Sequence, residues 1–526
     1  MAAIRIGRGP AVIAAVTLGR GSHLQRNLVT VCAMSATIMQ ALDTTIANVA
    51  LPYMQGSLSA SLDQINWVLT SYIVASAIMT APIGWLADRF GRKKLFIVCT
   101  AGFTVASMLC GLAENIGEMV AFRLLQGMFG AALVPLSQSV MLDSYSAEER
   151  GSAMAIWGIG VMLGPIMGPT LGAWLTESYN WHWVFFINLP VGIVTVIGLL
   201  LFMDETVQRK ELRFDWFGFL ALALGIGAMQ LMLDRGEQLG WFESPEIVTE
   251  TIVSAIGFYF FLAHSLTTAE PFVRFAIFKD RNFVGGCLFM VVIGLVLFGT
   301  MALVTPFMQN VLGYPILTAG FLLAARGVGT LAAMMMVGRL MKIIEARYLV
   351  LAGIALTAFT LHQMVGFTDQ TSAHAIVVVS VMQGFGLGLV FVPLSTVAFA
   401  SLPGHLRTDG TAILTLVRNL GSSVGISVVI AQLTNTTMAM HARLTEFVTP
   451  FNNALAMPDA AMLNPGTDMG RAMMEKIVTQ QATVIAYAND FKLLMYLTLA
   501  TIPLVFVIGA ARAAPPAADE QPAPAH

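Results

Sequence analysis

The sequence predicts an all-α polytopic membrane protein, with two bundles of six helices and two further helices inserted between them. Three observations lead to this reading. Of 526 residues, 57% are hydrophobic and only 11% are charged, whereas a soluble domain carries about 25% charged residues. Apolar runs of roughly 20 residues, the length that crosses a bilayer, recur from Leu28 to Val507. The chain also echoes itself. "GWLADRFGRKKLF" at Gly84 returns faintly as "GRLMKIIEARYLV" at Gly338, with Gly84, Leu86, Lys93 and Leu95 answered by Gly338, Leu340, Arg347 and Leu349. "QGMFGAALVPLS" (Gln126–Ser137) returns as "QGFGLGLVFVPLS" (Gln383–Ser395). Both echoes lie about 255 residues apart and span eight segments, which fits parallel halves separated by two extra helices.

Fourteen spans are expected, at 28–50, 64–86, 94–113, 118–142, 152–175, 184–203, 216–234, 247–266, 283–308, 316–338, 348–366, 374–401, 411–434 and 491–511. They divide the chain into an N-terminal leader (1–27), a first six-helix bundle (28–203), a linker with two spans (204–281) and a second bundle (282–511). The second bundle includes an outer loop at 435–490, and a tail (512–526) follows it. The leader places Arg5, Arg8, Arg20 and Arg26 around a short apolar patch, Ala11–Leu18, and reads as cytoplasmic. The tail, "AAPPAADEQPAPAH", is rich in Pro and Ala and is expected to be disordered.

Charge orients the bundle. With the N-terminus inside, twenty basic residues fall on the inner side and five on the outer: Arg235, Arg443, Arg471, Lys476 and Lys492. That bias places both termini in the cytoplasm. The cluster Asp88, Arg89, Arg92, Lys93 and Lys94 is the densest anchor on that side.

Several function classes are excluded. No lysine follows a glycine, so a phosphate-cradling GxxxxGK[ST] loop is absent, as are HExxH and EF-hand spacings. No metal, cofactor or enzymatic activity is expected, and uphill transport would draw on an ion gradient. A net charge of −2 offers no electrostatic case for nucleic acid. Cys32, Cys99, Cys110 and Cys287 lie inside apolar runs and read as small core residues.

The chemistry concentrates in a few residues. Asp43 is the only carboxylate well inside an expected span, where an unpaired charge is costly and function is the default reading. It is a candidate proton carrier. Arg123 sits in the fourth span with Gln126, Gly127 and Gly130 on one face. It stays charged and so acts as a fixed partner for a carboxylate. Arg326 and Arg418 are the other cations within spans, with no partner named by the sequence. Gly160, Gly164, Gly168 and Gly172 make one stripe of the fifth span, with Pro165 and Pro169 to bend it, suiting a tight contact that seals one side. In the loop, Gly84 and Gly91 permit close approach. Asp88 is expected to accept from Arg92, from other loop donors or from a helix N-terminus in its own half, with Arg89 and Lys93 alongside. Such exposed pairs are weak enough to form a switch. Gln40, Thr44 and Asn48 on the first span, Trp67, Thr70 and Ser71 on the second, and Gln126 and Arg326 deeper in are substrate-cavity candidates. The 32 Met and 32 Phe suit a broad amphipathic pocket.

Four stretches resemble the major facilitator superfamily, and within it the fourteen-helix drug:proton antiporters of the EmrB/QacA type. "GWLADRFGRKK" resembles the superfamily's loop motif, and "LDTTIANVALP" (Leu42–Pro52) the first-helix motif of the fourteen-helix exporters. "RLLQGMFGAA" (Arg123–Ala132) resembles the arginine motif linked to proton coupling, and "GVMLGPIMGPTLG" (Gly160–Gly172) the antiporter motif, with Pro169 in place of a glycine. The resemblance covers about residues 28–511. It implies proton-coupled efflux of amphipathic drugs or toxic small molecules by alternating access across a bacterial inner membrane. Asp43 and Arg123 would serve coupling, and no cofactor beyond the proton gradient is needed. The stretch from Glu446 to Gly466 resembles exporters of Gram-negative bacteria. That implies a periplasmic adaptor protein and an outer-membrane channel as partners, beside lipid, protons and substrate. A dedicated exporter of one metabolite, such as a siderophore or fatty acid, and a non-transporting sensor or scaffold are the alternatives.

Overall fold

The computed structural model describes residues 23–146, 149–206, 208–209, 211, 213–268, 271–448 and 467–506. Most of the expected leader and all of the expected tail lie outside these residues. The described chain is helical throughout. We number its main helices α1 (His23–Ser57), α2 (Leu62–Thr80), α3 (Arg92–Gly111), α4 (Ile116–Ser144), α5 (Arg150–Ser178), α6 (Trp183–Phe202), α7 (Trp216–Arg235) and α8 (Pro245–Thr267). The second half contains α9 (Arg281–Val311), α10 (Ile316–Leu340), α11 (Ala346–Val365), α12 (Ala373–Ala400), α13 (Arg407–Thr445) and α14 (Asp468–Leu499). Twelve of these are long and apolar enough to span a membrane, and α2 with its continuation Ile83–Phe90 brings the number to thirteen. The remaining helix, α14, carries Glu475, Lys476, Asp490 and Lys492.

Two expectations need correction. The second span is not continuous to residue 86, because the chain bends by 58° between Thr80 and Ile83. Pro82 lies in that break, and a proline cannot donate the hydrogen bond that would carry the helix through. The expected outer loop 435–490 is mostly helix: α13 runs on to Thr445, and α14 starts at Asp468. Polarity marked the end of the apolar run, but a helix outlasts its apolar stretch wherever side-chain partners and caps support it. Thr467 caps α14 by accepting from the Gly470 amide, and His441 and Glu475 join the two extensions at 2.9 Å. Residues 449–466 of the expected loop lie outside the described residues.

The internal repeat is visible in the packing. A methyl at Gly164 of α5 would stand 2.2 Å from the Ala41 backbone of α1, and one at Gly421 of α13 would stand 2.3 Å from the Val291 carbonyl of α9. Gly168 against Thr45 is likewise repeated by Gly425 against Leu295. The crossing of α2 and α4, with Gly127 on the Tyr72 carbonyl, recurs where Gly384 of α12 meets the Arg326 carbonyl of α10. The halves therefore share one architecture built on helix crossings too close for any side chain. They meet along two seams. One joins α5 to α10 through Gly158 against Met334 and Gly327 against Ile166. The other brings α13 against α4, where the Ser139 and Thr408 hydroxyls hydrogen-bond at 2.9 Å. The inserted helix α7 also packs on α13, Gln230 donating to Ser423 at 2.8 Å and Ser427 to the Leu233 carbonyl at 3.0 Å.

The stripe yields a prediction about sign. Gly164→Ala should destabilise the detergent-purified protein by about 1–3 kcal/mol, because the methyl meets rigid backbone. Gly56→Ala, with nothing within 4 Å of the added methyl, should leave stability unchanged or raise it. Thermal unfolding of the two variants checks this, and equal midpoints would remove the steric role of the stripe.

Candidate functional site

A closed polar cluster lies inside the first bundle. Asp43 of α1 and Arg123 of α4 are 0% and 1% exposed. The Arg123 guanidinium donates from Nη1 to Asp43 Oδ2 at 2.8 Å and to Gln126 Oε1 at 2.8 Å, and from Nε to the Val68 carbonyl at 2.9 Å. Gln126 Nε2 donates to Asp43 Oδ1 at 2.7 Å, and Asn188 Nδ2 of α6 donates to the same oxygen at 3.1 Å. Asn188 in turn donates to Ser107 Oγ of α3 at 2.9 Å. Tyr72 lays its ring 4.3 Å beneath the guanidinium carbon, and its hydroxyl accepts from Gln40 at 3.4 Å. Helices α1, α2, α3, α4 and α6 all contribute to the cluster.

Each position has a local reason. Arg123, Gln126 and Gly127 share one face of α4 at helical spacing. Gly127 lets α2 approach until its carbonyls and Tyr72 reach the arginine. Charges this deep are costly unless paired and hydrogen-bonded, and here Asp43 and Arg123 pair with each other and bond to Gln126, Asn188 and the Val68 carbonyl. Protonating Asp43 would break its pairing and leave Arg123 as an uncompensated buried cation.

The other candidates fall differently. Gln126, expected in the substrate cavity, is fully buried and committed to Asp43 and Arg123. Thr70 and Trp67 face the inserted helix α7. The Thr70 hydroxyl donates to Asp234, and Arg235 lies 5.4 Å over the Trp67 ring. Ser71 is buried with its hydroxyl unpartnered. Gln40 and Thr44 are half-buried, Thr44 returning its hydroxyl to the Ala41 carbonyl, and Asn48 is exposed. Arg326 is 6% exposed, with Nε and Nη2 unpartnered. Gly160 meets Met34 of α1, and Gly172 meets Ile46.

The loop after α2 is pinned to the linker and the second half as well as within its own half. Asp88 accepts from Arg274 Nη2 at 2.5 Å, and Arg274 Nη1 lies 3.5 Å from Asp409 of α13. Burial opposes the Arg274 charge, but the Asp409 and Asp88 carboxylates hold it above the ordinary arginine value. Gly84 sits directly on Asp409, where a methyl would meet the carboxylate. Arg92, the expected partner of Asp88, pairs instead with Asp143 at the end of α4, which also accepts from Arg407 at 2.5 Å. The α3 N-terminus is capped by Glu205, which accepts from the Lys93 and Lys94 amides at 3.1 Å each. Gly91, at φ +90°, leaves room for that carboxylate. Lys93 Nζ donates to the Leu200 carbonyl, and Arg89 Nη1 is buried without a partner. Asp409, Arg274, Asp143, Arg407 and Glu205 were not singled out in the sequence. Asp43 is also not the only buried carboxylate inside a helix. Asp409 is 8% exposed, and Asp490 of α14 is fully buried with neither oxygen partnered.

This arrangement, a buried ion pair in one of two repeated bundles with a charged latch at one end, is that of a membrane transporter. The chain matches the Major Facilitator Superfamily over residues 33–426 and belongs to it. Within it the chain groups with EmrB-type proteins. It is 37% identical over 433 residues to the "Multidrug export protein EmrB" of Escherichia coli (strain K12), covering 82% of this chain and 85% of that one. It is 35% identical over 478 residues to the "Fatty acid resistance protein FarB" of Neisseria gonorrhoeae, covering 90% and 94%. Among solved structures, the human organic anion transporter MFSD10 (TETRAN) shares the fold at TM-score 0.57 and 12% identity, covering 90% of this chain and 99% of that one. A bacterial homologue of human Spinster in an inward-facing conformation does so at 0.54 and 17%, covering 93% and 98%.

The cluster predicts non-additive stability. Arg123→Met should cost about 3–5 kcal/mol, because it strands Asp43. Adding Asp43→Asn to Arg123→Met should recover most of that loss. Thermal unfolding in detergent reads both, and a double variant as unstable as the sum of the singles would show that the two residues act independently.

Proposed function

We propose that this protein exports amphipathic small molecules across a bacterial inner membrane by proton-coupled alternating access, with both termini in the cytoplasm. The observation that carries the reading is the sealed Asp43–Arg123–Gln126–Asn188 cluster, a titratable group held at depth by three hydrogen bonds, one of them from a fixed cation. The latch supports it. Asp88–Arg274–Asp409 and Arg92–Asp143–Arg407 tie the first bundle to the linker and to α13 at the basic end only. Their side chains are 9–30% exposed and lie between units, so water can replace the lost contacts and the latch can open and reform within a cycle. One proton moving through about 150 mV carries roughly 3.5 kcal/mol, enough to sustain about a 300-fold gradient of a neutral substrate. On the far side, the paired extensions of α13 and α14 would meet a periplasmic adaptor that passes substrate to an outer-membrane channel.

A narrower reading, a dedicated exporter of one metabolite, is favoured by the relative named for fatty acid resistance. One assay separates the two. Energised inside-out vesicles should release protons when challenged with several lipophilic compounds, and the Asp43→Asn variant should not respond. A response to a single compound class supports the narrower reading. Equal responses from wild type and variant would remove Asp43 from the proton path. Silence with well-expressed protein would refute efflux by antiport.

A further inference from the structure

The two bundles share their helix crossings but not their charges. Matching Gly164 and Gly168 to Gly421 and Gly425 places Ile293 of α9 where α1 carries Asp43. Matching Gly127 to Gly384 places Ser380 and Gln383 of α12 where α4 carries Arg123 and Gln126, and Arg326 where α2 carries Tyr72. The second bundle has therefore kept the glutamine, lost the carboxylate and moved its cation from α12 to α10. Tyr72 is the side chain that reaches both α1 and the α4 cation in the first bundle. Arg326 occupies that position, 6% exposed, with Nε and Nη2 unpartnered among the described residues. Gln383, 1% exposed, leaves Nε2 unpartnered as well. Arg418 of α13 is a further cation of this bundle whose Nε is unpartnered.

We propose that Arg326 and Gln383 form the recognition site for the anionic head, a carboxylate, of the exported amphiphile. A guanidinium is the side chain best suited to two parallel hydrogen bonds with a carboxylate, and the Gln383 amide supplies a further donor. A buried arginine without an acidic partner is costly to maintain, and a ligand carboxylate supplies what Asp43 supplies to Arg123 in the other bundle. The division separates two tasks: the first bundle holds the proton group and the second the charge of the cargo. This deepens the efflux reading and rests on it.

The test uses the full chain in nanodiscs of zwitterionic lipid and three probes of equal chain length: dodecanoate, dodecylammonium and dodecanol. Binding read by intrinsic tryptophan fluorescence should favour dodecanoate over dodecylammonium by about tenfold or more. Arg326→Gln should abolish that preference while retaining dodecanol binding, and Arg326→Lys should keep part of it. Equal wild-type affinity for the anion and the cation overturns the proposal without any variant needing to fold. A wild-type preference that survives in a folded Arg326→Gln overturns it too. Loss of dodecanoate binding when anionic phosphatidylglycerol is added would assign the site to a lipid phosphate and overturn its role in cargo recognition. Proton release with dodecylammonium but not dodecanoate would overturn this proposal and leave efflux standing. Anion-selective binding without proton release for any probe would uphold the site and refute antiport.

Discussion

An ionised side chain in a low-dielectric interior must be paired, and this constraint organises the first bundle. Arg123 stays charged, so wherever α4 places it, the surrounding helices must supply acceptors. The Val68 carbonyl of α2, Asp43 of α1 and Gln126 of α4 itself do so, and Asn188 of α6 completes the carboxylate's shell through Ser107 of α3. The register of these helices is thereby specified more sharply than apolar packing alone would require. Removing Arg123 leaves Asp43 Oδ2 without its donor, whereas Oδ1 accepts from both Gln126 and Asn188.

Close backbone approach makes the pairing reachable. Gly164 and Gly168 bring α5 onto α1 beside Asp43, and Gly127 brings α4 onto α2. The same crossings recur in the second bundle, where Gly421, Gly425 and Gly384 serve the same geometry around a different set of polar groups. At the basic end, Gly84 of the α2 continuation rests on Asp409, and its counterpart Gly338 rests on Ser152. One of these contacts carries the charged latch and the other is neutral, so the two seams between the bundles differ in how they respond to charge.

Much of this was legible in the sequence, and the gaps have physical causes. Hydropathy located the spans because lipid demands continuous apolar helices. It could not locate helix ends in water, so the extensions of α13 and α14 were read as loop. For the same reason the fourteenth span was begun at residue 491, one position after Asp490. The buried pair, Asp43 and Arg123, was legible because charge at depth is rare. Asn188 was not, because a single amide in an apolar run carries no charge signal. The basic loop stood out by its density of charge, but its partners were misassigned. Asp88 and Arg92 are four apart and invited a local pair, whereas the fold offers Arg274 and Asp143 from elsewhere in the chain. Thr70 and Trp67 were placed in the cavity because the inserted helix α7, against which they pack, leaves no trace in the pattern of α2 itself.

The contrast between the buried cluster and the latch bears on which part moves. The Asp43–Arg123 contacts lie within one bundle and exclude water, so separating them by rigid movement would expose two charges to a low dielectric. The latch pairs lie between units and are partly buried, their side chains 9–30% exposed against 0–1% for the cluster, so water reaches them more readily once they part. In the proposed cycle, rocking of one bundle against the other would therefore break the latch and leave the cluster intact. Only a proton arriving at Asp43 can unmake the cluster without stranding a charged carboxylate. On the proposed reading the two events would be coordinated through a helix they share: α4 carries Arg123 in its first segment and Asp143 at its end. A change in how α4 sits around the cluster would then reach the latch along that helix, with no direct contact between the buried pair and the latch.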